Sequence, residues 1–219
     1  MFDRVKPSKR VLDPYERVSE VLFGLIMVLT FTGSLSVAQA GRESVKTMLI
    51  GALGCNLAWG IIDGVLYLMG CLADKDRKLT MLRAVRKAAD SQKWQRLIAA
   101  ALPAPVTSVL RPEELDSIRE RLIQLPEPAP RAHLSKRDWT GALGVFLLVF
   151  LSMFPVAVPF MLINNARLAM RVSNGVAIVM LFIAGFAYGR YIGRSPKLIG
   201  LGMVILGVVL VSLTIALGG

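Results

Sequence analysis

Long apolar runs alternate with polar stretches along this chain, and the run lengths are what predict its elements. Five runs are long enough to cross a bilayer: about Val21–Ala40, Thr47–Leu72, Thr140–Leu162, Val176–Ile192 and Leu198–Leu217. A hydrocarbon core of about 30 Å takes roughly 20 apolar residues as helix, and a helix that is apolar all round has no face for water. The pattern predicts an all-α integral membrane protein with five transmembrane helices, two and then three, and a cytoplasmic helical insert between spans two and three. The expected organisation is residues 1–72 for the start and the first two helices, 73–139 for the insert, and 140–219 for the last three helices. The short loop Gly41–Lys46 makes the first two helices antiparallel neighbours.

Local signals refine this outline. Asp13-Pro14-Tyr15-Glu16 reads as a helix start, with Asp13 as cap, Pro14 at the first helical position and Glu16 where a capping box closes. The first helix then begins ahead of the membrane and leaves Glu20 near the inner interface. Its outer half, with Thr30, Thr32, Gly33, Ser34 and Ser36, suits close packing or a polar path. The insert predicts two amphipathic helices. In Leu79–Leu102, Arg83, Arg86, Lys87, Lys93 and Arg96 oppose Leu82, Val85, Ala89 and Leu97, and Pro103-Ala104-Pro105 stops the run. In Pro112–Leu125, Glu113 and Glu114 favour the N-terminus, and Leu115, Ile118, Leu122 and Leu125 form the apolar face. Pro126–Pro130 is a stiff, non-helical linker. Both helices suit packing on each other or on a membrane surface, or a separate ligand-binding domain. In the third span Pro155 and Pro159 each remove a backbone donor, so a kink or break is expected there. Such a break either shapes the helix or exposes carbonyls beside a substrate path. Gly185, Gly189 and Gly193 recur every four residues, a surface for close helix approach within the bundle or a dimer.

The net charge of +11 would point to nucleic acid in a soluble protein. Its distribution says otherwise. With the N-terminus in the cytoplasm, residues 1–20, 73–139 and 190–197 lie inside and hold 5, 14 and 3 of the 26 Lys and Arg residues. Only Arg42, Lys46, Arg167 and Arg171 remain outside. This positive-inside bias orients the N-terminus and insert to the cytoplasm and the C-terminus outside. It makes membrane lipids with anionic headgroups the expected partner. No recognition motif accompanies the charge, so no nucleic acid is expected. A bacterial-type inner membrane or an organelle membrane is the expected location. Cys55 and Cys71 share one predicted helix, about 24 Å apart, too far to pair. Basic residues, an apolar run and Ala38-Gln39-Ala40 resemble a cleaved signal peptide, but the length of the run and four further spans favour retention.

Candidate chemistry centres on Asp63, mid-span in the second helix. A carboxylate at that depth is costly and normally faces the bundle or a water path. Asn56, Gly60, Asp63 and Tyr67 recur at helical spacing as one polar stripe, with Thr30 expected level with Asp63 and Met27 about a turn away. Asp63, Met27 and Glu20 are the candidate metal ligands. The candidate transport path is Asp63, Asn56, Tyr67, Met27, Glu20, Pro155 and Pro159. The bland alternative is an Asp63–Asn56–Tyr67 hydrogen-bond network that fixes packing. An enzyme is not expected: His133, the single histidine, sits in a Pro-rich linker, and no zinc pattern, phosphate loop or nucleophile elbow appears. No resident cofactor is expected.

The two-plus-three layout, with Phe23-Gly24-Leu25, Ala58-Trp59-Gly60-Ile61, Phe154-Pro155, Pro159-Phe160, Gly200-Leu201-Gly202-Met203 and Gly207, resembles the vacuolar iron transporter (VIT) family. The resemblance implies a homodimer that exchanges ferrous or similar divalent ions for protons. It also implies metal binding by acids and methionines in the spans and by clustered glutamates in the insert. This chain departs from the pattern. Leu25-Ile26-Met27 stands where the family has Asp-Gly, and Asp63-Gly64-Val65-Leu66-Tyr67 replaces its Met-Gly-x-Gly-Glu-Tyr run. In the insert, Glu113, Asp116 and Glu120 are the only acids at plausible helical spacing. The expected function is VIT-like transport of a divalent metal ion, of iron or manganese type, by proton antiport. The alternative is a non-transporting scaffold whose basic insert binds lipid or a partner.

Overall fold

The computed structural model describes residues 12, 14–33 and 42–216. Asp13, Ser34, Ser36, Ala38-Gln39-Ala40 and the side chains of Thr30 and Thr32, on which expectations were placed, lie outside the described residues. Among the described residues all regular structure is helical: α1 Pro14–Gly33, α2 Arg42–Lys87, α3 Ser91–Ala101, α4 Ala104–Thr107, α5 Pro112–Gln124, α6 Lys136–Ser152, α7 Phe154–Leu162, α8 Ala166–Ile192 and α9 Pro196–Ala216. Three stretches among them are long and apolar enough to cross a membrane: Val45–Lys87, Lys136–Leu162 and Ala166–Ile192. The chain divides into two compact units, one up to Tyr67 and from Lys136 onward, the other Leu68–Ser135.

In the first unit, Leu25 and Val28 of α1, Ala52 of α2, Val156 of α7 and Ala177 and Leu181 of α8 form one buried cluster. Met48, Phe160 and Ala169 form a second. The third predicted span is two helices. Its break falls at Met153, ahead of both prolines, where the amides of Val156 and Ala157 both bond the Met153 carbonyl at 3.1 and 3.0 Å. Pro155 sits in the first turn of α7, where a missing N–H costs nothing, and the helix runs on through buried Pro159. The hydroxyl of buried Ser173 donates to the Val156 carbonyl at 2.7 Å, tying α8 to this region.

Helix α8 begins ten residues before the predicted Val176. Asn165 caps it by accepting from the Leu168 amide at 3.1 Å. Arg167 and Arg171 lower the apolar count there, but a helix end tolerates charge and needs only its caps. A Cβ on Gly185 would stand 2.9 Å from the Gly200 Cα, and one on Gly189 would stand 2.7 Å from the Pro196 Cα. The predicted glycine surface is therefore the α8–α9 seam. Gly193 is not part of it: with φ 71° it is the left-handed cap that ends α8.

In the second unit the predicted helix Leu79–Leu102 is corrected. Helix α2 continues unbroken to Lys87, since neither Pro nor Gly follows Gly70 before that point, and Lys78 pairs with Asp74 one turn back at 2.6 Å. The chain then turns at Asp90, whose carboxylate accepts from the Gln92 amide at 3.2 Å and starts α3. The turn lets Trp94 and Ile98 bury against Val85. Helix α5 follows its predicted bounds to within one residue, with the Glu114 carboxylate accepting from the Arg111 amide at 2.8 Å. Arg86 donates to the carbonyls of Leu122, Leu125 and Pro126, closing the C-terminal end of α5. Arg119 stacks over Trp94 at 4.9 Å and donates to the Ala88 carbonyl at 2.9 Å. Part of the insert's basic charge is thus spent on holding the insert together.

Candidate functional site

Helices α2 and α6 run antiparallel and meet through small residues. A Cβ on Gly60 would lie 3.2 Å from the Phe146 carbonyl oxygen, and one on Gly64 would lie 3.3 Å from that of Ala142. Fully buried Asn56 donates through its side-chain amide to the Val149 carbonyl at 3.4 Å. The ring of Tyr67 occupies the space left by Gly141. Three of the four residues in the predicted polar stripe therefore serve a helix seam, where the missing side chains allow close approach. No hydrogen bond of Asp63 to Asn56 or Tyr67 supports the network reading: Asn56 spends its amide on α6.

Asp63 is the member left over. Its Oδ2 is buried and has no hydrogen-bond partner among the described residues. An unsatisfied buried acceptor is expensive, which sets Asp63 apart from the other three members of the stripe. Glu20 of α1 is close enough for its carboxylate and that of Asp63 to repel each other, and Glu16, one turn earlier, adds to the repulsion at Glu20. Glu20 is half-buried.

The register of α1 on α2 follows from an edge-to-face pair between Phe23 and Trp59, with centroids 5.2 Å apart. In antiparallel helices this places Glu20 level with Asp63. The expected grouping of Asp63 with Thr30 and Met27 is corrected: Met27 comes level with Cys55, about 12 Å along α2 from Asp63. The shift follows from packing, because Gly24 of α1 backs directly onto Ser152 and Val149 of α6 and fixes how far α1 slides. The Asn56–Val149 contact likewise puts Pro155 level with the stretch around Ile50, roughly 20 Å from Asp63. The second and third predicted spans are neighbours, but the proline break does not flank the acid. Among the described residues no three Asp, Glu, His or Cys side chains converge to hold a metal ion. Both cysteines are free and half-buried.

Sequence patterning assigns Glu16 a capping role alone and misses its place beside the acid pair. A signal for it is present in the chain, since Glu16 and Glu20 are spaced one helical turn apart ahead of an apolar run.

The long apolar helices define a multi-pass membrane protein. The sequence profile of the VIT family matches residues 84–219, well over half of the chain, and the protein belongs to that family. This is a family of transporters rather than of classical enzymes, and membership points to movement of metal ions across a membrane. The matched region begins at the end of α2 and includes the α6–α7 break; Glu20 and Asp63 lie before it. Comparison with curated proteins gives no match.

Proposed function

We propose that this protein carries a divalent metal ion of the iron or manganese type across its membrane, in exchange for protons, through the Glu20–Asp63 pair. The observation that carries the reading is the juxtaposition itself. Two carboxylates on different helices repel each other beside a buried, unpartnered oxygen in a member of a metal-transporter family. Two like charges held together are relieved either by a proton on one of them or by a cation between them. Those two states are the alternating occupants that antiport requires, and carboxylate oxygens suit a divalent ion of intermediate hardness. Met27 belongs to a later stage of the path, about two turns along. Pro155 and Pro159 lie farther still and shape the bundle.

In this reading α1 and α9, of 20 and 21 residues, complete five spans. The N-terminus and the insert face the cytoplasm and the C-terminus faces outward, in keeping with the 22-to-4 charge split. A second copy of the chain supplies the remaining ligands. Exposed Ile50, Leu57, Ile61, Val65 and Met69 on α2 offer an apolar face for that copy. The test is metal-ion flux into proteoliposomes of purified protein, with and without an imposed pH gradient. Flux that rises with the gradient and disappears in the Asp63→Asn variant supports the reading. Absence of flux with intact folding would support the scaffold alternative.

A further inference from the structure

On the first unit, α1, α6 and α8 enclose a groove that the acid pair does not line. Two cavities of about 520 and 380 Å³ share Arg17, Val21, Leu148 and Met180 and so form one continuous trough. Its walls are apolar apart from Thr140 and Ser152, whose hydroxyls are already donated to the carbonyls of Lys136 and Val149. Along α6 it runs from Thr140 to Leu151, about 17 Å of helix. One leaflet of hydrocarbon is about 15 Å deep. Arg17 borders both cavities, is exposed, and makes no ion pair or hydrogen bond among the described residues. It lies one helical turn before the apolar run that starts at Val21, the level of lipid headgroups.

We infer that this groove holds one anionic phospholipid, its phosphate on the Arg17 guanidinium and one acyl chain along Val21, Leu148, Leu151 and Met180. Charge complementarity selects the headgroup, because a planar guanidinium binds phosphate oxygens through paired donors. The apolar trough selects an acyl chain, which free phosphate lacks. The leaflet is the one toward which the basic ends of the helices point. The inference rests on the membrane character of the protein and not on the transport reading.

The experiment is native mass spectrometry of the purified full chain, released from bilayers with equal amounts of phosphatidylglycerol and phosphatidylcholine of identical acyl chains. The expected result is retention of one phosphatidylglycerol per chain in preference to phosphatidylcholine. Arg17→Gln should lower that preference about fivefold or more. Arg190→Gln, at the same end of the bundle but outside the groove, should leave it unchanged. Leu151→Trp, which fills the trough from an exposed position, should reduce retention of both lipids. Equal retention of the two lipids by the parent would overturn the inference. So would an equal loss in Arg190→Gln, since that makes the effect general surface charge. Loss of self-association in Leu151→Trp would instead assign the groove to a second copy of the chain. Increased lipid retention on deleting residues 1–11 would assign it to that segment. Should Leu151→Trp fail to fold, the comparison of Arg17→Gln with Arg190→Gln still decides.

Discussion

Asp63→Asn separates transport from structure because the folded protein gives the charge of Asp63 nothing to do. The substitution preserves the shape of the side chain and removes one negative charge. Oδ2 of Asp63 has no hydrogen-bond partner among the described residues, and the carboxylate of Glu20 is close enough for the two to repel each other. Removing the charge therefore relieves a repulsion and breaks no bond of that oxygen, and the thermal midpoint of the variant should equal or exceed that of the parent. For a bound cation the sign is opposite. A charge-assisted contact is worth about 1.5–3 kcal/mol, which corresponds to a loss of roughly 10- to 150-fold in affinity. At a metal concentration near the parent's half-saturation, flux should fall to about a fifth or less. The assay is initial-rate uptake of Fe²⁺ or Mn²⁺ into proteoliposomes, with thermal unfolding in detergent measured on the same preparations. Parent-level uptake in Asp63→Asn refutes the assignment. Marked destabilisation refutes the premise that the carboxylate is structurally idle.

Glu20→Gln should reproduce the flux defect with the same unchanged stability, and the double variant should be little worse than either single one, because both remove halves of one site. Gly185→Ala places a Cβ 2.7 Å from Met203 Cγ and 2.9 Å from Gly200 Cα, so α8 and α9 must separate. A cost of about 1–3 kcal/mol should appear as a lowered thermal midpoint, and an unchanged midpoint would disprove the seam. Arg86→Met strips the carbonyls of Leu122, Leu125 and Pro126 of their donor. Limited proteolysis should then cut sooner at the 126–130 linker, while uptake persists. For orientation, single cysteines at Ser91 and Gly219 in a background lacking Cys55 and Cys71 should react with an impermeant reagent from opposite sides of the membrane. Reaction from the same side would overturn the five-span topology.

Much of the architecture was legible in the order of residues. Transfer of a side chain from water to hydrocarbon is a property of that side chain, so apolar runs announce apolar helices wherever they later pack. The Pro112–Glu114 start acts within a turn of itself, which makes that helix end readable as well. Even so, the periodicity of Leu79–Leu102 masks the turn at Asp90 and Ser91, and the charges of Arg167 and Arg171 hide the first turns of α8. The presence of a carboxylate, Asp63, inside the long apolar stretch of the second helix was also legible in the chain alone.

Which residues stand opposite Asp63 did not. The sliding of one helix along another depends on how non-neighbouring surfaces mesh, and hydropathy is nearly indifferent to a slide of two or three turns. Phe23 against Trp59, Gly24 against Ser152 and Asn56 against Val149 set that slide. They exchanged Met27 and Thr30 for Glu20 and moved the proline break away from the acid. The same meshing left Arg17 at the mouth of an open apolar groove, a feature that comes into being only when three separate helices meet.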